Sequence, residues 1–256
     1  MTKFFEYSIH GPKNGDWMTL SHSIGSSPDI WAGQIEAFSR RYQVLVYNTR
    51  GHGGDSRQES TCTVDDLAGD ILQLWQQLGI KLSHFVGLSL GGCVGVAVAH
   101  QAPNYVQSLV VANARLEMDG AASDMWLQRA SLVEQQGMEP IVAPTLERWL
   151  TAEFMLDHPL EVAKICQTLL ATSPRGFAAS ARALGAMHQQ ERLAGLKVPT
   201  LFLGGLADKA VPSAMVEQYA RQNPAFSFAA IAGPHILNLE NPAGFNQTVL
   251  DFMARH

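Results

Sequence analysis

Short apolar runs alternate along this chain with stretches whose apolar residues recur every three or four positions. The short runs read as strands: residues 4–9 and 18–21 around the turn GPKNG (11–15), then 44–47, 84–86, 108–112, 200–203 and 226–231. A continuous apolar run such as VLVY (44–47) fits a strand covered on both faces, as in a parallel sheet. The periodic stretches read as helices. Residues 31–41 place Trp31, Ile35 and Phe38 on one face, and 65–78 repeat Leu67, Ile71, Leu74, Trp75 and Leu78 behind Thr63, a fitting N-cap. Residues 90–100 are small and apolar enough for a buried helix that stops at Pro103, and 213–221 and 242–255 each follow a late strand. Strand and helix in alternation at this spacing predict a parallel, doubly wound α/β sheet.

One region breaks the alternation. From about residue 120 to 196 no strand pattern occurs, and Leu146, Trp149, Leu150 and Phe154 trace a helical stripe. The expected organisation is therefore a core of residues 1–119 and 197–256 with a helical insertion, 120–196. Ligands of such sheets sit at the carboxyl ends of the strands, where an insertion would act as a lid.

At 256 residues and 46% hydrophobic content the chain can bury a large core. A net charge of −5 without a Lys/Arg cluster argues against nucleic acid and anionic membrane as partners. The three cysteines, Cys62, Cys93 and Cys166, are scattered, which disfavours a disulfide framework or a zinc site and suggests a reducing cytoplasm. The first residues, MTKFFEYSIHGPKNGDW, carry charges through any apolar stretch, so no signal peptide is expected. No apolar run approaches the length of a membrane span.

The chemistry gathers around SHFVGLSLGGCVG (83–95). With 17 serines and 22 glycines in the chain, roughly 0.1 GxSxG matches arise by chance, so context must decide. Here a strand precedes Ser89 and a helix follows it, as a strained nucleophile turn requires. A serine hydroxyl needs a base, and the base needs an orienting group. In chain order Ser, acid, His, the base is His235, in the turn-rich AGPH after the last strand. Asp208, the one carboxylate of the loop closing LFLGGLAD, is the acid, with Glu117 and Asp119 as second choices. The oxyanion would be held by the amide of Leu90 and one from the loop 20–25, at Ile24 or alternatively Ser23. His22 either orders that loop or merely packs.

These residues stand in the segments LSHSIGSSPDIW (20–31), VLVYNTRGHGGDS (44–56), HFVGLSLGG (84–92), VPTLFLGGLAD (198–208) and PHILNLENPAGFN (234–246). Over nearly its whole length the chain resembles the α/β-hydrolase superfamily, and it looks most like the 3-oxoadipate enol-lactonases. The resemblance implies the α/β-hydrolase fold and a cofactor-free, metal-free enzyme. It implies a small ester or lactone as substrate, in aromatic catabolism, with the Arg148-Trp149 pair on the substrate side. Read from the residues, Arg148 either is a solvated lid residue pairing with Glu147, Glu153 or a nearby carboxylate, or turns into the cleft to pair with a substrate carboxylate. Two departures stand out. Asn48 occupies a position where the superfamily usually has Asp, and LGAMH (184–188) stands where such lactonases tend to carry an Arg-Asp cluster. Rival readings on the same triad are a general carboxylesterase, a carbon–carbon bond hydrolase, and a ligand receptor. A phosphate-binding loop is disfavoured, because the glycine-rich turn lacks a GK[ST] ending.

Overall fold

The computed structural model describes residues 6–53 and 61–256. The expectations for Phe4, Phe5 and the end of the 44–56 segment lie outside the described residues. Among the described residues seven strands form one sheet: β1 Tyr7–His10, β2 Trp17–Ser21, β3 Gln43–Tyr47, β4 Ser83–Leu88, β5 Val106–Ala112, β6 Thr200–Gly205 and β7 Phe226–Ile231. Their spatial order is β1-β3-β2-β4-β5-β6-β7. Every pairing is parallel except β1 with β3.

The side-chain alternation of the strands splits the core in two. Leu45, Phe85, Leu109, Val111 and Phe202 point to one face, where they pack with α2 Val64–Leu78, α3 Leu90–Gln101 and α10 Ser213–Ala220. Val44, Val46, Val86, Leu88, Val110 and Leu201 point to the other, against α1 Ala32–Phe38 and α12 Pro242–Met253. Burial on both faces is why these strands read as unbroken apolar runs. Helix α2 begins and ends where its sequence signals stand. Thr63 and Asp66 form a reciprocal capping box, and Gly79 takes the left-handed conformation at the C-cap (φ 73°).

Between β5 and β6 lie α4 Gly120–Gln136, α5 Glu139–Trp149, α6 Ala152–Asp157, α7 Pro159–Ala171, α8 Pro174–Gly185 and α9 Gln190–Leu193, with no named strand among them. Ala130 and Val133 of α4 and Phe177, Ala178 and Ala181 of α8 continue the first cluster, while Leu146, Trp149 and Leu169 join the second. The stripe read as one helix is broken. Leu150 is extended, and Thr151 starts α6 by accepting from the amide of Phe154, so Phe154 belongs to the next helix. The first helix is also shorter than its pattern. A 3₁₀ turn, Pro28–Trp31, precedes α1, which ends at Phe38.

Candidate active site

Strand β4 delivers Ser89 to the carboxyl edge of the sheet, in the turn that becomes α3. Its backbone sits at φ 55°, ψ −115°, and its amide donates to the carbonyl of Ala112, 2.9 Å away, at the end of β5. Such a conformation costs a non-glycine residue about 1–3 kcal/mol and persists only where its surroundings enforce it. The glycines on either side make the turn feasible. A Cβ on Gly87 would lie 2.1 Å from the carbonyl oxygen of Gly91, and one on Gly91 would lie 2.1 Å from that of Ser21. Strand and helix can approach this closely only without side chains. Ser89 Oγ makes no hydrogen bond among the described residues, and Ser89 lines a cavity of about 520 Å³.

His235 lines the same cavity, and Asp208 lies behind it, both almost fully buried. His235 Nδ1–H donates to Asp208 Oδ2 at 2.8 Å, which leaves Nε2 with its lone pair. The other carboxylate oxygen, Oδ1, accepts from the amides of Ala210 (2.7 Å) and Val211 (2.9 Å), so the acid cannot swing away from the ring. The second-choice acids are engaged elsewhere. Glu117 hydrogen-bonds His188, and Asp119 caps α4 and pairs with Arg115.

Ile24 and Leu90 face the cavity beside Ser89. Leu90 opens α3, so its amide has no partner within the helix. The loop around Ile24 is held by two histidines. His22 Nδ1–H donates to the Ser23 carbonyl (2.8 Å), while its Nε2 accepts from the amide of Thr49 (3.0 Å). His52 Nε2 accepts from the amide of Gly25 (2.8 Å). Burial first, then the proximity of His52, pushes the pKa of His22 down to about 3, so its ring stays neutral. His22 therefore orders the loop rather than merely packing under it. Ser23 does not face the cavity, and its hydroxyl is buried without a partner.

Two groups went unread in the sequence. Asn113 is, with Ser89, one of the two non-glycine residues at positive φ among those described. Fully buried, it donates to the carbonyls of Pro234 and His235 (2.9 Å each) and accepts from the amide of Gly205 (2.7 Å). One side chain thus ties the histidine loop to the ends of β5 and β6. An asparagine directly after a buried strand was the available signal, since Asn tolerates the left-handed region.

Arg129 is the other. Its guanidinium lies over the rings of Trp126 and Phe177, 5.6 and 5.8 Å from their centroids, and donates to Thr145 Oγ1. Its Nε is buried without a partner. Burial, then repulsion from Arg148, lowers its pKa to about 10. Arg148 also lines the cavity and pairs with neither Glu147 nor Glu153; among the described residues its one hydrogen bond runs to Met125 Sδ. Burial lowers its pKa and the charge of Asp208 opposes that shift. The cavity therefore holds two guanidiniums without a carboxylate partner among the described residues. Trp149 lines the cavity too, and its carbonyl accepts from the amide of Ile236, next to His235.

Cys93 is no rival nucleophile. Burial pushes its thiol up to about 12, and its Sγ–H points at the carbonyl of Arg115. Among the described residues no group of three or more His, Cys, Asp or Glu could hold a metal ion, and no helix is long and apolar enough to cross a membrane. Asn48 is buried and donates to Glu6, away from the cavity.

A family model described as the alpha/beta hydrolase fold matches residues 16–154. The 3-oxoadipate enol-lactonase 1 of Acinetobacter baylyi is 32% identical over 98% of this chain and 93% of its own. The enol-lactonase of Burkholderia xenovorans superposes with a TM-score of 0.94 at 31% identity, over 98% of this chain and 96% of its own. An esterase of Thermogutta terrifontis, solved with malate bound, does so at 0.92 and 25%, over 98% and 93%. The chain belongs to the α/β-hydrolase family, as a hydrolytic enzyme related to the 3-oxoadipate enol-lactonases.

Proposed function

We propose that the chain is a serine hydrolase of small, carboxylate-bearing esters or lactones, with 3-oxoadipate enol-lactone as its substrate and Ser89, His235 and Asp208 as its triad. The observation that carries this reading is one cavity in which a strained serine and a carboxylate-held imidazole face two unpaired guanidiniums. Ser89 Oγ attacks the carbonyl carbon while His235 Nε2 takes its proton. The amides of Leu90 and Ile24 hold the tetrahedral oxyanion. Collapse breaks the carbon–oxygen bond of the ring, and the leaving enolate takes its proton from His235 and tautomerises to a ketone. A water deprotonated by His235 then releases the acyl group, which leaves as a carboxylate.

Arg148 and Arg129 would bind the carboxylate that the substrate already carries. A planar guanidinium binds it in bidentate fashion and tolerates partial burial better than an ammonium does. Arg129 offers the second cation that LGAMH (184–188) lacks. In this reading residues 1–119 and 197–256 are the catalytic core and 120–196 its cap, and the scattered cysteines favour a cytoplasmic enzyme. Rates on the enol-lactone and on p-nitrophenyl acetate test the proposal. Arg148→Lys should lose at least tenfold in kcat/KM on the lactone and little on the neutral ester. Equal losses on both would mean that Arg148 only shapes the cavity, and the substrate would then be uncharged.

A further inference from the structure

A second cavity, of about 740 Å³, is lined by Trp149, as is the cavity that holds Ser89. It opens between the loop that follows Ile24 and one face of α7, formed by Glu161, Lys164, Ile165 and Thr168 at helical spacing. Buried Ile30 and half-buried Ile165 and Leu239 line its interior, and exposed Asp29 and Lys164 belong to the same lining. Trp149 is the one residue, among those described, that the linings of the two cavities share.

The position of this wall is fixed from behind. The Trp149 carbonyl accepts from the amide of Ile236 at 3.1 Å, and Thr151 donates through both its amide and its hydroxyl to the carboxylate of Glu240, 2.8 Å each. The chain at 149–151 is thereby anchored to the segment that follows His235.

We propose that Trp149 is a specificity-determining partition: it confines the acyl group of the substrate to the catalytic cavity and shuts it out of a mainly apolar space that would otherwise take an alkyl chain. The inference rests on the hydrolase reading of the Ser89 site for its catalytic consequence, but not for its binding consequence. Removing the indole joins the cavities, so a chain anchored at Ser89 or at the arginines can extend toward Ile165 and Leu239. Each methylene that moves from water into such a space strengthens binding about three- to fourfold.

Two readouts test it on the intact protein. In calorimetry, wild type should bind decanoate no more than threefold tighter than hexanoate, whereas Trp149→Ala should prefer decanoate at least tenfold. In turnover of p-nitrophenyl esters, kcat/KM of wild type should fall beyond short acyl chains, and that of Trp149→Ala should peak at medium ones. Trp149→Phe should keep the wild-type pattern. Ile165→Trp, which refills the second cavity, should abolish the gain in the Trp149→Ala background. A uniform loss at all chain lengths in a folded Trp149→Ala protein would overturn the proposal, as would a wild type that already prefers decanoate tenfold. If no ester or lactone is turned over but the binding pattern holds, the hydrolase reading fails and the partition stands.

Discussion

Replacing Gly91 by alanine probes the turn that makes the site possible. The new Cβ would lie 2.1 Å from the Ser21 carbonyl oxygen, 2.5 Å from its carbon and 2.8 Å from Ser21 Oγ. Ordinary contact begins near 3.4 Å, so strand β2 and helix α3 must part by more than about 1 Å, because the obstacle is backbone rather than a movable side-chain tip. Overpacking of this kind costs about 1–3 kcal/mol, which for a chain of this size lowers Tm by roughly 2–10 °C. The catalytic loss should exceed the loss of stability. Ser21 leads into the loop carrying Ile24 and Gly91 follows Leu90, so the clash separates the two amides proposed to hold the oxyanion. A displacement near 1 Å at such a site costs about a hundredfold in rate. The assay is kcat/KM on p-nitrophenyl acetate, with thermal melts in parallel. Gly69→Ala is the control: it lies within α2, where a Cβ would meet nothing within 4 Å, and should gain about 0.5–1 kcal/mol without changing the rate. A Gly91→Ala protein with wild-type rate would refute the argument from close approach.

Three further outcomes follow from the same geometry. Asn113→Ala removes three buried hydrogen bonds and leaves an amide and two carbonyls unpaired; chemical denaturation should show a loss of about 3 kcal/mol or more, and the rate should fall with the freed histidine loop. Burial above all pushes the pKa values of His22 and His84 down to about 3 and 4 in the folded protein, below the ordinary imidazole value of 6.5. Both rings are neutral above pH 6.5, where the stability is full; below it the unfolded chain binds protons that the folded one refuses. Each histidine then costs roughly tenfold in the folding equilibrium per pH unit, until pH reaches its folded value. The urea midpoint should therefore drop between pH 7 and 5, and an unchanged midpoint would contradict the buried neutral rings. Asp208→Asn keeps the shape of the site but not the charge that fixes the His235 tautomer, so kcat should fall by about 10³–10⁴ with Tm moved by only a few degrees; a rate within tenfold of wild type would remove Asp208 from the triad.

What could be read in the chain was what depends on near neighbours. The cap of α2 is written in Thr63, Asp66 and Gly79, and the Ser89 turn in Gly87, whose added Cβ would meet the backbone of Gly91 four residues on. That Asp208 and His235 would meet could be expected from their loops, since parallel strands deliver their following loops to one edge of the sheet. The break at Leu150 could not, because Thr151 as a cap competes with an apolar stripe that continues through it. Nor could the role of His22, which depends on Thr49, 27 residues away, being brought to its Nε2. Arg129 and the double-sided position of Trp149 were hidden for the same reason: a cavity wall is a property of several helices at once.

The central claim is that Ser89 is the nucleophile, and active-site labelling tests it most directly. Incubation with a fluorophosphonate, followed by intact mass and peptide mapping, should show one adduct per chain, on Ser89, accumulating in step with the loss of hydrolysis. The Ser89→Ala protein should take up no label and show no turnover. A labelled residue other than Ser89 in the inactivated enzyme, or full activity in Ser89→Ala, would contradict the reading of this site.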